Sequence, residues 1–475
     1  MAPALVQKIL NHLVTSRRLH KTLSICVVIF SFCCLIIYLA IHQPINYMNS
    51  VILSDLPTAD SPDPTNISHL VFGLVGSEKA WRRRKTYIES WWRPNITRGY
   101  LFLDRPPGMP AWSPSAPPYK VSDDLTKLFR NTDVTAQRII HGIMEAFREA
   151  ADDINLRWLV MGDDDSIFFV DNIVDVLSTY DHTKYYYFGG QSEFILSNHW
   201  YSFSQGFGGA GFILSYPLAK VLAEDMENCL LRYRYTLKPA ADLTAMSCIA
   251  DIGVSLTPLK GLHQIDIRGD ISGFLSSHPQ FPLLSLHHFD FVDPLFPSMN
   301  RYESTRHLMA AAAADQSRML QQTICYHRQN GWSLSISWGY SAHIYERIIP
   351  RGFLQFPLET FRPWGRSPRP PHYMFNTRRP SDHPCEAPHV FFFQAVHKKT
   401  EHDHPLITTF TRAWPRSLPA CSGNTSAEFV YKILVHTPPT KRLEIDRSEC
   451  CDILQIHDNK AEVKYRECMK NEIIA

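Results

Sequence analysis

The residues with the clearest capacity for chemistry are three consecutive carboxylates, Asp163, Asp164 and Asp165. They follow an apolar run rich in Trp, Leu and Val, which predicts a buried strand. Adjacent acids at the end of such a strand repel one another, and burying them unpaired costs free energy. A hard cation such as Mg²⁺ or Mn²⁺ would remove that cost, because it prefers carboxylate, water and phosphate oxygens. The alternative interpretation is a polar turn whose acids cap the following helix.

The segments around the acidic run alternate between patterns typical of strands and patterns typical of helices. Strands are predicted at 69–77, 100–104, 157–162 and 185–190, and helices at 79–92 and 133–151. This alternation indicates an α/β domain, and its first strand and helix are typical of a nucleotide-binding sheet. The basic run Arg82–Lys85 could meet a diphosphate, although a solvated helix face is the simpler interpretation.

A glycine-rich stretch, 206–215, follows these segments. It lacks the lysine of a P-loop and the sequence context of a dinucleotide-binding fingerprint. Glycines let the backbone approach a ligand closely, and Pro217 suits the first turn of the helix predicted next. We therefore expect this stretch to contact a ligand.

Length, charge and the amino terminus limit the possible functions. The chain has 475 residues and a formal net charge of +2, so nucleic acid is not expected as its main partner. Residues Leu23–Ile41 are uncharged and long enough to span a bilayer, and basic residues precede them. The positive-inside rule then predicts a cytosolic tail (1–22), a transmembrane anchor (23–41) and a stem (42–66). The alternative is a cleaved signal peptide, which should have a shorter apolar region ending in small residues.

Cysteines and glycosylation sequons both lie mainly beyond the predicted anchor. Eight of the eleven cysteines follow it, and an even number there favours disulfides in an oxidising lumen. The sequons at Asn66, Asn95 and Asn424 lie on the same side. Both observations favour a lumenal position for the bulk of the chain.

The character of the sequence changes after about residue 298. Proline-containing segments separate runs that predict strands at 334–338, 390–393, 429–435 and 461–465, and five cysteines lie from Cys385 onward. We therefore predict a β-rich, disulfide-linked carboxy-terminal module, 301–475, after a catalytic domain, 67–300. Nothing in this module has the spacing of a catalytic site.

Three motifs in a fixed order resemble a known family. These are the acidic run, the glycine stretch Gly208–Phe212 and the run Ser285–Asp290, which reads Ser-Leu-His-His-Phe-Asp. Together, behind an anchor, they resemble the Fringe-like β-1,3-glycosyltransferases of glycosyltransferase family 31. The runs Gln322–Tyr326 and Trp332–Gly339 are similar to the plant Fringe-related branch. The resemblance covers nearly everything after Asn66.

The resemblance implies a fold, an activity and a location. We expect a GT-A (Rossmann-like) fold, a nucleotide-sugar donor such as a UDP-sugar, Mn²⁺ as the cofactor, and inversion at the anomeric carbon. The acceptor would be a glycan or glycoprotein, joined in β-1,3 linkage. The protein would be a membrane-anchored, single-pass type II protein of the Golgi, with its catalytic domain in the lumen.

The resemblance also assigns roles to individual residues. It places Asp165 on the metal and Asp163 and Asp164 nearer the sugar and ribose, with Gly209 and Gly211 beside the donor. It selects His287 as the second metal ligand, with His288 and His263 as alternatives.

The general base is the least regular part of the pattern. The family has two adjacent acids after the glycine stretch and its helix, whereas this chain has only Asp242 there. Asp242 is the candidate base, and Asp251 is interpreted as a structural helix residue. Two other functions stay open: a catalytically inactive glycan-binding or scaffold protein, which the missing acid favours, and a metal-dependent phosphate-ester hydrolase, which would need more clustered ligands.

Overall fold

The computed structural model describes residues 64–108, 111–129, 134–235, 240–366, 369–397, 406–421, 426–439 and 447–474. In the amino-terminal half, short apolar runs form the strands. These strands are β1 (Leu70–Val75), β2 (Gly99–Leu103), β3 (Tyr119–Val121), β4 (Trp158–Asp163), β5 (Ile167–Phe168), β6 (Tyr187–Gly189), β7 (Phe212–Ser215), β8 (Leu256–Pro258), β9 (Leu262–His263), β10 (Ile267–Gly269) and β11 (Ser285–Leu286). The helices are α1 (Glu78–Glu89), α2 (Thr135–Ala150), α3 (Val170–Leu177), α4 (Ile195–Trp200), α5 (Tyr216–Tyr233), α6 (Ala241–Asp251), α7 (Ser272–Ser277), α8 (Arg301–Ala314) and α9 (Arg351–Leu354).

Seven of these strands form a mixed sheet in the order β3-β2-β1-β4-β7-β6-β8. Strands β1 to β4 of this sheet run parallel, while β7 is antiparallel to both of its neighbours. Every residue of β1 is buried, which is typical of a central strand covered on both faces. The carboxyl ends of β1 and β4 therefore meet at one edge, where the acidic run begins.

A smaller sheet of three strands, β5-β11-β9, lies next to that edge. Strand β11 is antiparallel to β5, which follows the acidic run, and parallel to β9. This pairing brings the run that starts at Ser285 beside residues more than a hundred positions earlier in the chain.

The carboxy-terminal half forms a second large sheet, preceded by β15 (Phe361–Pro363), which pairs with β10. Its strands are β12 (Gln322–His327), β13 (Trp332–Ser337), β14 (Ser341–Tyr345), β16 (His389–His397), β17 (Leu406–Arg412), β18 (Lys432–Thr437), β19 (Cys450–His457) and β20 (Lys460–Arg466). The order is β12-β13-β14-β16-β17-β18-β20-β19. The disulfide between Cys325 and Cys451 joins its two edge strands, so the sheet curls back on itself.

All eight cysteines of the described residues are paired. The other three disulfides are Cys229–Cys248, Cys385–Cys421 and Cys450–Cys468. A single hydrophobic cluster extends from Leu70 in β1 to Tyr465 in β20, so the core is continuous across residue 300. The predicted boundary between a catalytic domain and a separate module stays a prediction.

The predicted fold class, a GT-A domain behind a single transmembrane helix with a β-rich module, is wrong as stated. The structure has mixed α and β content, with the antiparallel β7 inserted into an otherwise largely parallel sheet. Within the described residues no helix has the length and apolar character needed to cross a membrane. The longest, α5, has 18 residues and carries charged side chains such as Lys220 and Asp225. The predicted anchor, 23–41, lies outside the described residues.

Candidate metal centre

The acidic run forms a tight turn between β4 and β5. Asp163 is the last residue of β4, and Asp164 and Asp165 are buried in the turn. The buried hydroxyl of Ser166 accepts a hydrogen bond from the Asp163 backbone N–H (2.8 Å) and donates one to the Gly209 carbonyl (2.7 Å). Ser166 therefore fastens the acidic turn to the glycine stretch.

His287 reaches this turn because it directly follows β11. Its Nε2 lies 3.1 Å from Asp165 Oδ1 and 3.8 Å from Asp163 Oδ2. Gly209 makes this approach possible, because a Cβ at that position would lie only 2.0 Å from the imidazole ring. A residue with any side chain at 209 would displace the histidine.

Asp163, Asp165 and His287 together could hold a metal ion, because one ligand atom from each lies within 4.8 Å of the others. Carboxylate and imidazole ligands suit divalent ions such as Mn²⁺. Asp165 Oδ2 is buried and makes no hydrogen bond among the described residues, although the Arg84 guanidinium lies 3.2 Å from it. The chemistry of this donor set, two carboxylates and an imidazole, fits a bound divalent cation.

Arg84 of α1 is the main positive charge on the acidic turn. Its guanidinium lies 2.7 Å from Asp164 and 3.2 Å from Asp165, and its Nε lies 2.8 Å from Asp290. Tyr87 donates a second hydrogen bond to Asp290, at 2.9 Å. Arg84 thus links the acidic turn to the end of the Ser285–Asp290 run.

The three acids titrate differently. Burial raises the pKa of Asp163 to about 7 and that of Asp164 to about 6, and repulsion from Asp165 adds to both shifts. Burial also acts to raise the pKa of Asp165, but His287 and Arg84 outweigh it and lower that pKa to about 2. Burial opposes protonation of His287, yet Asp165 and Asp163 raise its pKa to about 9. In the absence of a metal, Asp165 and His287 therefore form an ion pair at neutral pH, and a bound cation would have to displace the proton of His287.

Asp242, the candidate base, lies on the other side of the glycine stretch. It occupies the first turn of α6, and its carboxylate accepts a hydrogen bond from the Gly208 backbone N–H. Burial raises its pKa to about 6, against that hydrogen bond and the charge of His287. The structure thus brings Asp242 close to the acidic turn, although its catalytic role stays a prediction.

His288, one of the alternative ligands, turns away to a different partner. Its backbone is left-handed, with φ of 60°, which is uncommon outside glycine and is found where surrounding contacts impose it. Its Nδ1 lies 2.9 Å from Asp266 Oδ1, and its ring stacks on Trp364 with centroids 4.6 Å apart. Of these two neighbouring histidines, only His287 contributes an atom to the ligand group, together with Asp163 and Asp165.

The remaining candidates lie outside the ligand group. His263 is paired in register with Leu286. Because successive side chains of a strand point to opposite faces, His263 lies on the face opposite to that of His287. Its Nδ1 contacts Glu193 at 2.8 Å. Asp251 ends α6 and forms an ion pair with Arg232, and its interpretation as a structural residue stays a prediction. Gly211 has φ of +88°, and a Cβ there would lie 2.6 Å from Phe168, so it is required by packing.

Two other groups in the described residues have suitable ligand types. Cys450, Cys468 and Glu472 form one, but its cysteines are joined in a disulfide. Asp123, His141 and Glu145 form the other, in which Arg148 holds the Asp123 carboxylate with two hydrogen bonds. The ligands at the acidic turn are not joined in a disulfide, although Arg84 also contacts one of them, Asp165, at 3.2 Å.

A comparison with family models finds a match that covers part of this site. A model of the family described as "Protein of unknown function, DUF604" matches residues 197–451, more than half of the chain. The chain belongs to the DUF604 family. The DUF604 match includes Asp242 and His287 and most of the second large sheet, while the acidic turn precedes it. No curated protein matches the chain.

Sequence analysis named the basic run Arg82–Lys85 but did not single out Arg84 as the member that lies at this site. Trp81 and Ile88 of α1 are buried, and Arg84 lies three residues after the first and four before the second. Residues at these spacings share one helix face. The helical spacing therefore puts Arg84 on the buried face of the helix, unlike the exposed Arg82 and Arg83. This spacing could have identified Arg84 as the arginine that reaches the site.

Proposed function

We propose that this protein is a metal-dependent, inverting glycosyltransferase that moves a sugar from a nucleotide-sugar, such as a UDP-sugar, to a hydroxyl of a glycan or glycoprotein. The observation that carries the proposal is the convergence of Asp163, Asp165 and His287 at the edge of a sheet. A divalent cation such as Mn²⁺, when bound there, would neutralise the charge of a diphosphate leaving group. The order of motifs, which resembles Fringe-like β-1,3-glycosyltransferases, supports the same activity.

Asp242 is the residue we assign as general base. The acceptor hydroxyl would attack the anomeric carbon and pass its proton to the carboxylate as the bond to the diphosphate breaks. The pKa of Asp242, raised by burial to about 6, leaves it ionised at neutral pH but close to the working pH, as general base catalysis requires. Gly208 orients the carboxylate through its backbone N–H.

Four disulfides support a location in an oxidising compartment, such as the Golgi lumen. The sequons at Asn66 and Asn95 are exposed, which is compatible with glycosylation there. Digestion of the expressed protein with an N-glycosidase tests this part of the proposal. An unchanged apparent mass would contradict it.

Nucleotide binding tests the metal centre. We expect the full chain to bind UDP in the presence of Mn²⁺, and Asp165→Asn or His287→Ala to weaken that binding at least about tenfold, because a ligand is lost. Isothermal titration with and without Mn²⁺ gives the measurement. The matched controls are Asp458→Asn and His457→Ala, an exposed aspartate–histidine pair. Metal-independent binding that both site variants retain would overturn the assignment.

Asp242→Asn tests the base. The amide keeps the shape of the side chain but cannot take a proton, so transfer should slow by about 10²–10⁴-fold while UDP binding stays intact. Asp251→Asn, at the other end of the same helix, is the control. Product formation from a panel of UDP-sugars and glycan acceptors is the measurement. A rate within a few-fold of wild type would remove Asp242 from the mechanism.

The internal neutralisation of the acids by Arg84 and His287 favours a second candidate, a catalytically inactive glycan-binding protein of the same family. Such a protein would not need a metal to hold its acidic turn together. The donor panel decides between the two: UDP binding without transfer to any acceptor by the wild-type chain would favour this candidate.

A further inference from the structure

The segment that leads into the glycine stretch is rich in exposed aromatic rings. Trp200, Tyr201 and Phe203 are 49%, 42% and 47% exposed, although large apolar side chains are usually covered. Serines alternate with them, so residues 200–204 read Trp-Tyr-Ser-Phe-Ser. We call the surface formed by Trp200, Tyr201, Phe203 and the 40%-exposed Phe291 the aromatic rim.

Two chains of contacts place the aromatic rim beside the candidate metal centre. The rim segment continues within a few residues to Gly208, which contacts Asp242, and to Gly209, which contacts His287. Phe291 packs against the ring of His288, with centroids 5.3 Å apart.

The second chain of contacts runs through Trp364. The ring of Trp200 would lie 3.4 Å from a Cβ added at Gly365, so it touches the residue after Trp364. Trp364 stacks on His288, and the Arg268 guanidinium lies 4.2 Å from the centre of the Trp364 ring. Because His288 and Arg268 cover this indole, Trp364 supports the rim and leaves the exposed rings of its neighbours as the contact surface.

The chemistry of the rim selects an uncharged ligand with both apolar and hydroxyl-bearing faces. From Ile195 to Gly211 the sequence contains no Lys, Arg, Asp or Glu. Arg268, which lies over the rings of Phe291 and Trp364, is held by a hydrogen bond from its Nε to the Trp364 carbonyl (2.8 Å). An anionic membrane or an acidic polymer would need a cluster of basic residues, which residues 195–211 do not contain. Flat rings beside serine hydroxyls instead match a pyranose, whose C–H face stacks on an aromatic ring while its hydroxyls form hydrogen bonds.

We infer that the aromatic rim binds a neutral carbohydrate and is the acceptor side of the site. This inference rests on the proposed glycosyltransferase function, and it names the acceptor class as an uncharged sugar chain. Trp200 and Phe203 supply stacking surfaces through their exposed parts, while Gly365 packs against the ring of Trp200.

Saccharide binding without nucleotide tests the inference. The full chain is titrated with cellobiose, galactobiose, xylobiose and N-acetyllactosamine, and binding is followed by saturation-transfer NMR. Trp200→Ala and Phe203→Ala should each weaken binding of the preferred saccharide at least about tenfold, while Trp200→Phe should retain more of it. Trp414→Ala, a 53%-exposed tryptophan of the carboxy-terminal half, is the matched control and should bind as wild type does.

A parallel titration with UDP and Mn²⁺ separates this inference from the proposed function. Rim variants should bind UDP within about twofold of wild type, which also shows that they are folded. Saccharide binding that is absent from wild type, or equal in wild type and both alanine variants, would overturn the inference. Rim-dependent saccharide binding by a wild-type chain that does not bind UDP would support the rim and count against the donor part of the proposed function.

Discussion

Two regions of the molecule bury carboxylates against histidine and arginine, but they differ in how completely the charges are satisfied. In the carboxy-terminal sheet, Glu346 accepts hydrogen bonds at 2.8 to 2.9 Å from His389 Nε2, Ser426 Oγ, Ala427 N and Cys421 N. Burial acts to raise its pKa, but these bonds outweigh it and lower the pKa to about 2. At the acidic turn, by contrast, Asp163 and Asp164 have raised pKa values.

This difference separates a structural charge from a candidate functional one. A buried carboxylate that receives several hydrogen bonds is stable as an anion and has no need of a further ligand. Crowded carboxylates with unsatisfied neighbours store unfavourable energy that a cation or substrate can relieve. The acidic turn is of the second kind, because the pKa values of Asp163 and Asp164 are raised by burial and by repulsion from the neighbouring Asp165.

The largest expected effect comes from the satisfied region. Glu346→Gln should lower the free energy of unfolding by about 3–5 kcal/mol, because it leaves buried positive and N–H groups without their anion. Urea unfolding followed by circular dichroism measures the change. Glu386→Gln, whose exposed carboxylate pairs with Arg347, is the control and should be nearly neutral.

The pH dependence of stability checks the same residue. Because the folded pKa of Glu346 lies near 2 and its ordinary value is 4.5, its stabilising contribution is present above pH 4.5 and is lost as the pH falls toward 2. Glu346→Gln should remove this part of the acid sensitivity. An equal loss of stability in wild type and variant across that window would show that Glu346 is not the cause.

An intermediate effect is expected from Arg84→Lys. A lysine carries the same charge, but one ammonium cannot reproduce the fork that contacts Asp164, Asp165 and Asp290. We expect a loss of about 1–3 kcal/mol in metal-free buffer, from hydrogen bonds left unmade. Mn²⁺ should recover part of the loss, because it supplies positive charge at the same turn.

Arg83→Lys provides the matched control, since Arg83 is the neighbouring exposed arginine of the same helix. It should change the unfolding free energy by less than about 0.5 kcal/mol. If both lysine variants behave alike, with or without Mn²⁺, then Arg84 does not stabilise the acidic turn.

Sequence patterns were most informative where a local run determines the structure. The apolar run before Asp163 forms β4, and Pro217 lies in the first turn of α5, as predicted. The approach of Asp163, Asp165 and His287 followed from family resemblance alone, because their spacing of more than 120 residues carries no local signal. The β5–β11 pairing that produces it involves two residues on each strand, too few to give a pattern.

Other features depended on tertiary contacts that no local pattern reports. Strands β12, β14, β17 and β19 were not predicted, although each pairs with a predicted or neighbouring strand. Their stability comes from cross-strand partners and from the Cys325–Cys451 disulfide rather than from a clear alternation of their own. The alternation of strands and helices indicated an α/β domain, but it did not predict that β7 would be antiparallel to β4.

The smallest expected change in stability comes from Asp163→Asn, and its sign distinguishes the two regions. The folded pKa of Asp163 is about 7 and its ordinary value is 3.8, so the native state disfavours the ionised form. Metal-free wild type should therefore lose stability as the pH rises from about 4 through 7, whereas the asparagine variant should not. At pH 8 we expect the variant to be equal to wild type or up to about 1 kcal/mol more stable, in contrast to the loss in Glu346→Gln.

Adding Mn²⁺ should reverse the order, because wild type gains the binding free energy and the variant has lost a ligand. Urea unfolding at pH 5 and pH 8, with and without Mn²⁺, measures these effects, and Asp458→Asn is the exposed control. A variant that is clearly less stable than wild type in metal-free buffer at pH 8 would mean that the acidic turn, like the Glu346 cluster, is built to hold its charges without a ligand.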